Sequence, residues 1–256
     1  MKELVFKKVD AFASNVSSGN PAAVVYLKSL DEIDDKEKLQ VARELKGAVS
    51  EVGFVAPGDE ADVDLCFFSS EREVAFCGHA TIAIMYDLIR HDLSLQAKSA
   101  VTISTRTEKL IVENRFKTDG CVFVSSPSPV YQTTMIEAAQ VADALKCKVD
   151  EFDNRVPLRI VNAGLETLIV PVNGLSTILA ITPDEDELNH FCHSCRVDII
   201  ILFSSETYDA SCQYRTRVFA PTFGYLEDPA TGSGNSALGY YLLSQGLWNG
   251  EELCIE

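Results

Sequence analysis

Two stretches decide how this chain reads: FCGHATIAIMYDL, residues 76–88, and EDPATGSGNSALG, residues 227–239. Setting Cys77-Gly78-His79-Ala80-Thr81 against Thr231-Gly232-Ser233-Gly234-Asn235 brings Ala83 onto Ala237, Tyr86 onto Tyr240 and Leu88 onto Leu242. Each copy follows an aromatic strand candidate, LCFF or RVFA, after a short loop. A device used twice predicts an α+β fold of two related halves, each aiming a helix amino terminus at the space between them. The polar, turn-rich ENRFKTDGC around residues 113–121 is the expected boundary, giving halves 1–115 and 116–256.

Composition narrows the function classes. The chain has 256 residues, 46% of them hydrophobic, which is enough apolar material for one large or two modest domains. Charged residues make up 23% with no long polar tract, so disorder is not expected. A net charge of −16 argues against nucleic acid and against anionic membrane surfaces as partners. It leaves room for a small anionic metabolite, because a helix amino terminus binds an anion even on an acidic protein. The opening MKELVFKKVDAFA lacks the apolar core and cleavage site of a secretory signal, and the most apolar run, VDIIILF, suits a buried strand. Eight scattered cysteines without such a signal read as reduced thiols in a cytoplasmic protein.

β-Branched and aromatic content predicts strands over 4–9, 22–27, 63–68, 109–113, 121–125, 167–172, 197–203 and 213–220. Helices are expected over 34–46, 80–90, 135–146, 183–195 and 235–245. Thr134 with Glu137, and Thr182 with Glu185, have capping-box spacing, and Pro183 takes the favoured first helical position. Gly47 and Gly246 are the expected helix stops.

The paired turns suit chemistry on a small acid. The first amides of a helix lack intrahelical partners and carry the positive end of its dipole, and a neighbouring glycine lets a ligand approach closely. Three other readings compete. GSGNSA fits a variant of the dinucleotide fingerprint, but its strand candidate ends near Ala220, well before Gly232, and little chain follows. CHSC, residues 192–195, has the spacing of a metal pair without a second pair. Leu188, Phe191, Cys192 and Cys195 instead form one apolar helical stripe. Cys77 at a helix start has the setting of a reactive thiol. Its counterpart Thr231 is a poor proton-transfer base, which disfavours a two-thiol racemase.

Four blocks, SGNPAAVV (18–25), VSEVGFV (49–55), EVAFCGHAT (73–81) and RVFAPTFGYLEDPATGSGNSALG (217–239), resemble the phenazine-biosynthesis PhzF family in order and across nearly the whole chain. The resemblance implies the diaminopimelate-epimerase fold, with two pseudo-symmetric halves each wrapping a sheet around a central helix. It also implies isomerisation by proton transfer with no cofactor and no metal, and a homodimer. On the matching positions Glu51 is the expected catalytic glutamate, with His79 and Asp228 as polar active-site residues. Gly78, Gly232 and Ser233 are the expected anion-binding helix starts, and Asn20 the cleft-side turn residue. The sequence departs from the family where LCFFSSEREV lacks a Trp-Phe-Thr-Pro pattern, where SEVGF replaces SETAF, and where EELCIE stands in place of the usual closing strands.

Each residue also has a plainer reading. Glu51, within AVSEVGFVA, is either a partly exposed acid at a strand start or a buried acid whose pKa desolvation raises toward neutrality. His79 is either a hydrogen-bonded structural residue or a neutral imidazole held against a helix dipole. Asp228 before Pro229 is either a turn residue or a group that positions a substrate amine or hydroxyl. The leading expectation is an isomerase of small amino-acid-like or hydroxy-acid substrates with Glu51 as general acid/base. The alternative is a metabolite-binding or protein-interaction module that keeps the fold without turnover.

Overall fold

The computed structural model describes residues 4–13, 19–132 and 136–256. The chain divides into two compact units, Met1–Pro127 with Ala230–Ser233, and Ser128–Pro229 with Gly234–Glu256.

The first unit runs β1 (Phe6–Ala11), β2 (Asn20–Tyr26), α1 (Asp35–Glu44), β3 (Glu51–Pro57), β4 (Val63–Phe68), β5 (Glu73–Val74), α2 (Gly78–His91), α3 (Leu93–Gln96), β6 (Ala100–Ser104), β7 (Lys109–Arg115) and β8 (Cys121–Val124). Its sheet has the order β1-β2-β3-β4-β6-β7-β8, with β5 added to β4. The β2/β3 and β4/β6 pairs are parallel and the others antiparallel. β8 completes this sheet through β7, so the unit runs past the boundary expected after residue 115.

Alternation along the strands sorts side chains onto two faces. Val52 and Phe54 of β3 join Ala23, Val25, Cys66 and Phe68 in a cluster that takes Leu39 and Val41 from α1 and Leu45 that caps its end. Gly53, between them, faces α2: a Cβ there would lie 2.1 Å from Cδ1 of Ile84. α2 packs on β1, β2, β3 and β8, so it touches both edge strands and the sheet curls around it. Its buried residues include Ala80, Ala83, Ile84, Met85 and Ile89, an apolar surface too wide for a helix with one solvated face.

The second unit runs β9 (Val130–Tyr131), α4 (Ala138–Ala144), β10 (Arg159–Asn162), β11 (Glu166–Pro171), α5 (Leu175–Ala180), α6 (Glu185–Cys195), β12 (Ile199–Ser204), β13 (Arg215–Phe219), β14 (Glu227–Asp228) and α7 (Gly232–Ser244), whose first two residues lie in the first unit. The sheet order is β14-β13-β12-β11-β10-β9. β11 and β12 are parallel, and α5 and α6 form the crossover that parallel neighbours require. Every residue of β12 is buried. Ile200 and Leu202 pack with Val141 of α4, Ile178 of α5 and Leu188 and Cys192 of α6. Phe203, on the other face, meets Tyr241 of α7 edge-on at 5.7 Å. The second sheet therefore has a helix layer on one side and α7 on the other.

Several local expectations shift. Thr134 of one predicted cap lies outside the described residues; Glu137 is the observed N-cap of α4, answered by Gln140. The cap of α6 is Asp184, not Thr182, because the Asp184 carboxylate accepts the Glu187 amide at 3.0 Å. Leu188 and Cys192 are fully buried with Phe191 and Cys195 packed beside them, as the apolar-stripe reading of CHSC requires. The expectation that all eight cysteines are reduced is corrected by a Cys212–Cys254 disulfide, and six cysteines remain free. The chain brings the two together by laying Ile255 beside Tyr214, with Gln213 N–H donating to Cys254 O at 2.9 Å. The Cα atoms are then 4.5 Å apart, within disulfide range.

Candidate active site

The two sequence repeats both open helices, at Gly78 and at Gly232, in register with the alignment. The two glycines meet. A Cβ on Gly78 would lie 3.0 Å from Gly232 Cα and 3.2 Å from Ser233 N. A Cβ on Gly232 would lie 3.1 Å from Gly78 Cα. Only glycine at both positions permits this backbone-to-backbone approach. Both belong to the first unit, so that unit by itself gathers two helix starts at one point.

Asn20 braces the arrangement. It is fully buried at the start of β2, its Nδ2 donates to Ala230 O at 2.7 Å, and its Oδ1 accepts from Ser50 Oγ at 3.1 Å. The bond to Ala230 ties residues 230–233 to the first sheet, 210 positions away in the chain.

Glu51 is the first residue of β3, aligned with Ala22 of β2 in the parallel ladder. It is 3% exposed, so the reading as a partly exposed strand-start acid fails in its exposure, though its place at a strand start holds. His79, the second residue of α2, is equally buried, and its Nε2 lies 3.2 Å from Oε2 of Glu51. The approach is off the axis of an aligned hydrogen bond at Nε2. Burial pushes the His79 imidazole down to about 4, so the ring is neutral at pH 7. On the other edge of the ring, Sγ of Cys77 lies 3.5 Å from Nδ1. Cys77 is the N-cap of α2 and 5% exposed, yet its side chain makes no cap hydrogen bond. The cap position is steadied instead by Thr81, whose hydroxyl donates to Cys77 O at 2.7 Å. Among the described residues, Glu51, Cys77 and His79 form the one group of three or more potential metal ligands, with one such atom from each within 4.8 Å of the others.

The first unit thus brings together Glu51, His79, Gly78, Gly232, Ser233 and Asn20 of the expected set. Asp228 lies in the second unit, on the two-residue strand β14, paired with Val218 of β13. Ser50 and the carbonyl of Ala230 were not singled out by sequence reasoning, and Cys77 was weighed only as a nucleophile. The arrangement offers a buried carboxyl for proton exchange, a neutral imidazole beside it, and helix amides at hand for an anion.

The chain matches the family described as phenazine biosynthesis-like protein over residues 9–255. It is 29% identical over 259 residues to the uncharacterised isomerase YfhB of Bacillus subtilis, covering all of this chain and 86% of that one. An uncharacterised isomerase of Pseudomonas aeruginosa is 32% identical over 241 residues, covering 93% of this chain and 82% of its own. The trans-2,3-dihydro-3-hydroxyanthranilate isomerase of Pseudomonas fluorescens is 28% identical over 246 residues, covering 93% and 79%. In fold, the crystal structure of a PhzF-family protein from Bacillus anthracis superposes with a TM-score of 0.80 at 24% identity, over 95% of this chain and 81% of that one. A probable proline racemase from Agrobacterium radiobacter superposes at 0.64 with 14% identity, over 97% and 80%, which places racemases within the same fold. The chain belongs to the phenazine biosynthesis-like family, and its curated relatives include proteins named isomerases.

Proposed function

We propose that this member of the phenazine biosynthesis-like family is a cofactor-independent isomerase that moves a proton on a small amino-acid-like or hydroxy-acid substrate, with Glu51 as general acid/base. The observation that carries the reading is the 3.2 Å approach of the buried Glu51 carboxyl to the neutral His79 ring, on the turn where Gly78 meets Gly232. Removing a carboxyl from water disfavours its charged form, which brings its proton affinity closer to what carbon deprotonation and return at neutral pH demand. Neutral His79 adds a hydrogen-bonding group without a competing positive charge. The amides that open α2 and α7, with Ser233, are the donors for a substrate carboxylate. Asn20 holds that turn in place through Ala230. Asp228 stays in the proposal as a group that positions a substrate amine or hydroxyl, on its motif alone. No described helix is long and apolar enough to cross a membrane. A cytoplasmic homodimer completes the proposal, and its solution mass checks the second part.

The test is proton exchange. Trans-2,3-dihydro-3-hydroxyanthranilate and a panel of small amino and hydroxy acids are incubated with the chain in deuterated water and read by mass and NMR. The expected result is isomerised, deuterium-labelled product from at least one. Glu51→Gln should lower that turnover by about 10²-fold or more while ligand binding survives. Full turnover in Glu51→Gln would remove the glutamate from its role. Binding without exchange for every ligand would instead favour a metabolite-binding module.

A further inference from the structure

The cysteine beside the proton-transfer pair has no part in the reading above, and its geometry gives it one. We propose that Cys77 is a positioning residue whose thiol donates to Nδ1 of His79 and holds the ring in the tautomer carrying its proton on Nε2, the nitrogen that faces Glu51. The inference rests on the proposed pairing of Glu51 with His79 and adds the group that sets the direction of that pair.

Four observations lead to it. An N-cap side chain ordinarily accepts an amide of the first helical turn, and Cys77 does not. Its Sγ sits 3.5 Å from Nδ1 instead, where the thiol can donate to that nitrogen once the ring carries its proton on Nε2. The cap residue has the extended backbone angles usual at an N-cap, φ −129° and ψ 101°, so the missing cap bond does not come from an unusual backbone. A neutral imidazole has one N–H and one acceptor, so a donor at Nδ1 leaves the ring proton at Nε2, 3.2 Å from Oε2 of Glu51. When Glu51 is in the ionised form that takes a proton from substrate, the opposite tautomer would turn a nitrogen lone pair toward that carboxylate, and burial makes such a mismatch costly.

The same geometry weighs against using the trio as a metal site. A single ion would need the thiolate and the carboxylate to converge on one ring nitrogen. Here the thiol addresses Nδ1 and the carboxylate Nε2, so the ring bridges the two groups. The proton count closes without any other reactant. While Nε2–H faces one carboxylate oxygen, a proton taken from substrate carbon resides on the other oxygen, and its return restores the starting state. Cys77 keeps its S–H throughout.

The experiment is NMR of the full chain labelled with 15N-histidine at pH 7, with His79→Gln used to assign the ring signals. Wild type should show Nε2 protonated and Nδ1 bare. Cys77→Ser, which keeps a donor, should show the same state, while Cys77→Ala should move a measurable fraction of the ring to the Nδ1–H form. On a substrate found by the exchange screen, Cys77→Ala should lose about tenfold in turnover and Cys77→Ser should recover most of it. A wild-type ring protonated on Nδ1, or on both nitrogens, would overturn the proposal, as would an unchanged tautomer in Cys77→Ala. If Cys77→Ala fails to fold, the wild-type and Cys77→Ser spectra still decide. The tautomer is read without substrate, so a chain with the expected ring state but no proton exchange sinks the isomerase reading alone.

Discussion

The contact between Gly78 and Gly232 can be measured by a double-mutant cycle. A methyl on Gly78 falls 3.0 Å from Gly232 Cα, 3.2 Å from its carbonyl carbon and 3.2 Å from Ser233 N. All three are backbone atoms, so no side chain can swing away. Reaching an ordinary carbon–carbon contact requires the two segments to part by about half an ångström. Overpacking of that kind costs about 1–3 kcal/mol, and because both glycines open their helices, only a fraction of the roughly 1 kcal/mol that alanine gains over glycine in a helix interior offsets it. Gly78→Ala should therefore be destabilised by about 1–2 kcal/mol, and Gly232→Ala, with its nearest atom at 3.1 Å, by a similar amount. Once the first methyl has parted the segments, the second enters an opened gap. The double variant should thus be more stable than the sum of the singles by at least about 0.5 kcal/mol. Urea unfolding of the parent, both singles and the double measures this, with the anion affinity of each variant as a second readout. Affinity should fall further than stability, since parting the segments displaces the amides that would hold the anion. Single variants as stable as the parent, or strictly additive losses, would refute the contact.

Three further perturbations probe the same unit. His79 titrates at about 4 against an ordinary 6.5, so on acidification the unfolded chain takes up a proton before the native one does. Stability should be level above pH 6.5 and fall between 6.5 and 4 by up to about 3 kcal/mol, less to the extent that Glu51 is ionised. His79→Gln should remove that part of the acid limb in urea unfolding at stepped pH; an unchanged limb would contradict the burial. Gly53→Ala should be destabilised by about 1–3 kcal/mol because its methyl meets Cδ1 of Ile84, and Ile84→Val, which deletes that atom, should recover much of the loss in thermal melts. No recovery would mean that the sheet does not close on α2 there. Asn20→Ala strips Ala230 O and Ser50 Oγ of a buried partner and should cost about 1–3 kcal/mol, with increased proteolysis near residue 230. Unaltered cleavage there would show that the 230–233 segment is held by other means.

What the sequence made legible divides along physical lines. The openings of α2 and α7 were readable because the demand on them is local. Glycine at 78 and 232 answers a close backbone approach, and the repeat of the pattern marked both helix starts. α1 was expected over 34–46 and runs Asp35–Glu44, but the Asp34–Glu37 capping box that opens it was not among the caps read from the sequence. β3 entered the sequence reading only as a possible strand start at Glu51 and not among the predicted strands, because both its faces are buried, so EVGFVAP shows no alternation, and Gly53 looks like a breaker. That glycine is needed by Ile84 of α2, and no local pattern can carry a requirement imposed from 31 residues away in the chain. β6 and β10 are short, five and four residues long, and their stability comes from their ladder partners. The Cys212–Cys254 pair spans 42 residues with no spacing signature, and the Asn20–Ala230 bond spans 210.

The site shows the same division with a sharper consequence. Glu51, His79 and the two glycines were chosen one at a time, each on residue type and motif. Their chemistry depends on quantities that exist only once the chain is folded: a 3.2 Å separation, a ring driven neutral by burial, and a thiol turned toward the far ring nitrogen. Cys77 illustrates why. In sequence it is a cysteine at a helix start, and the general rule for that setting is a lowered pKa and a nucleophilic thiolate. In the fold the same residue is buried beside a neutral imidazole that can accept from it, so its proton is worth more than its lone pair. A motif therefore fixes which groups are present, while burial and direction decide which of them gives a proton and which takes one. In this chain those decisions converge on one ring, and the protonation state of His79 is the quantity on which the proposed reaction turns.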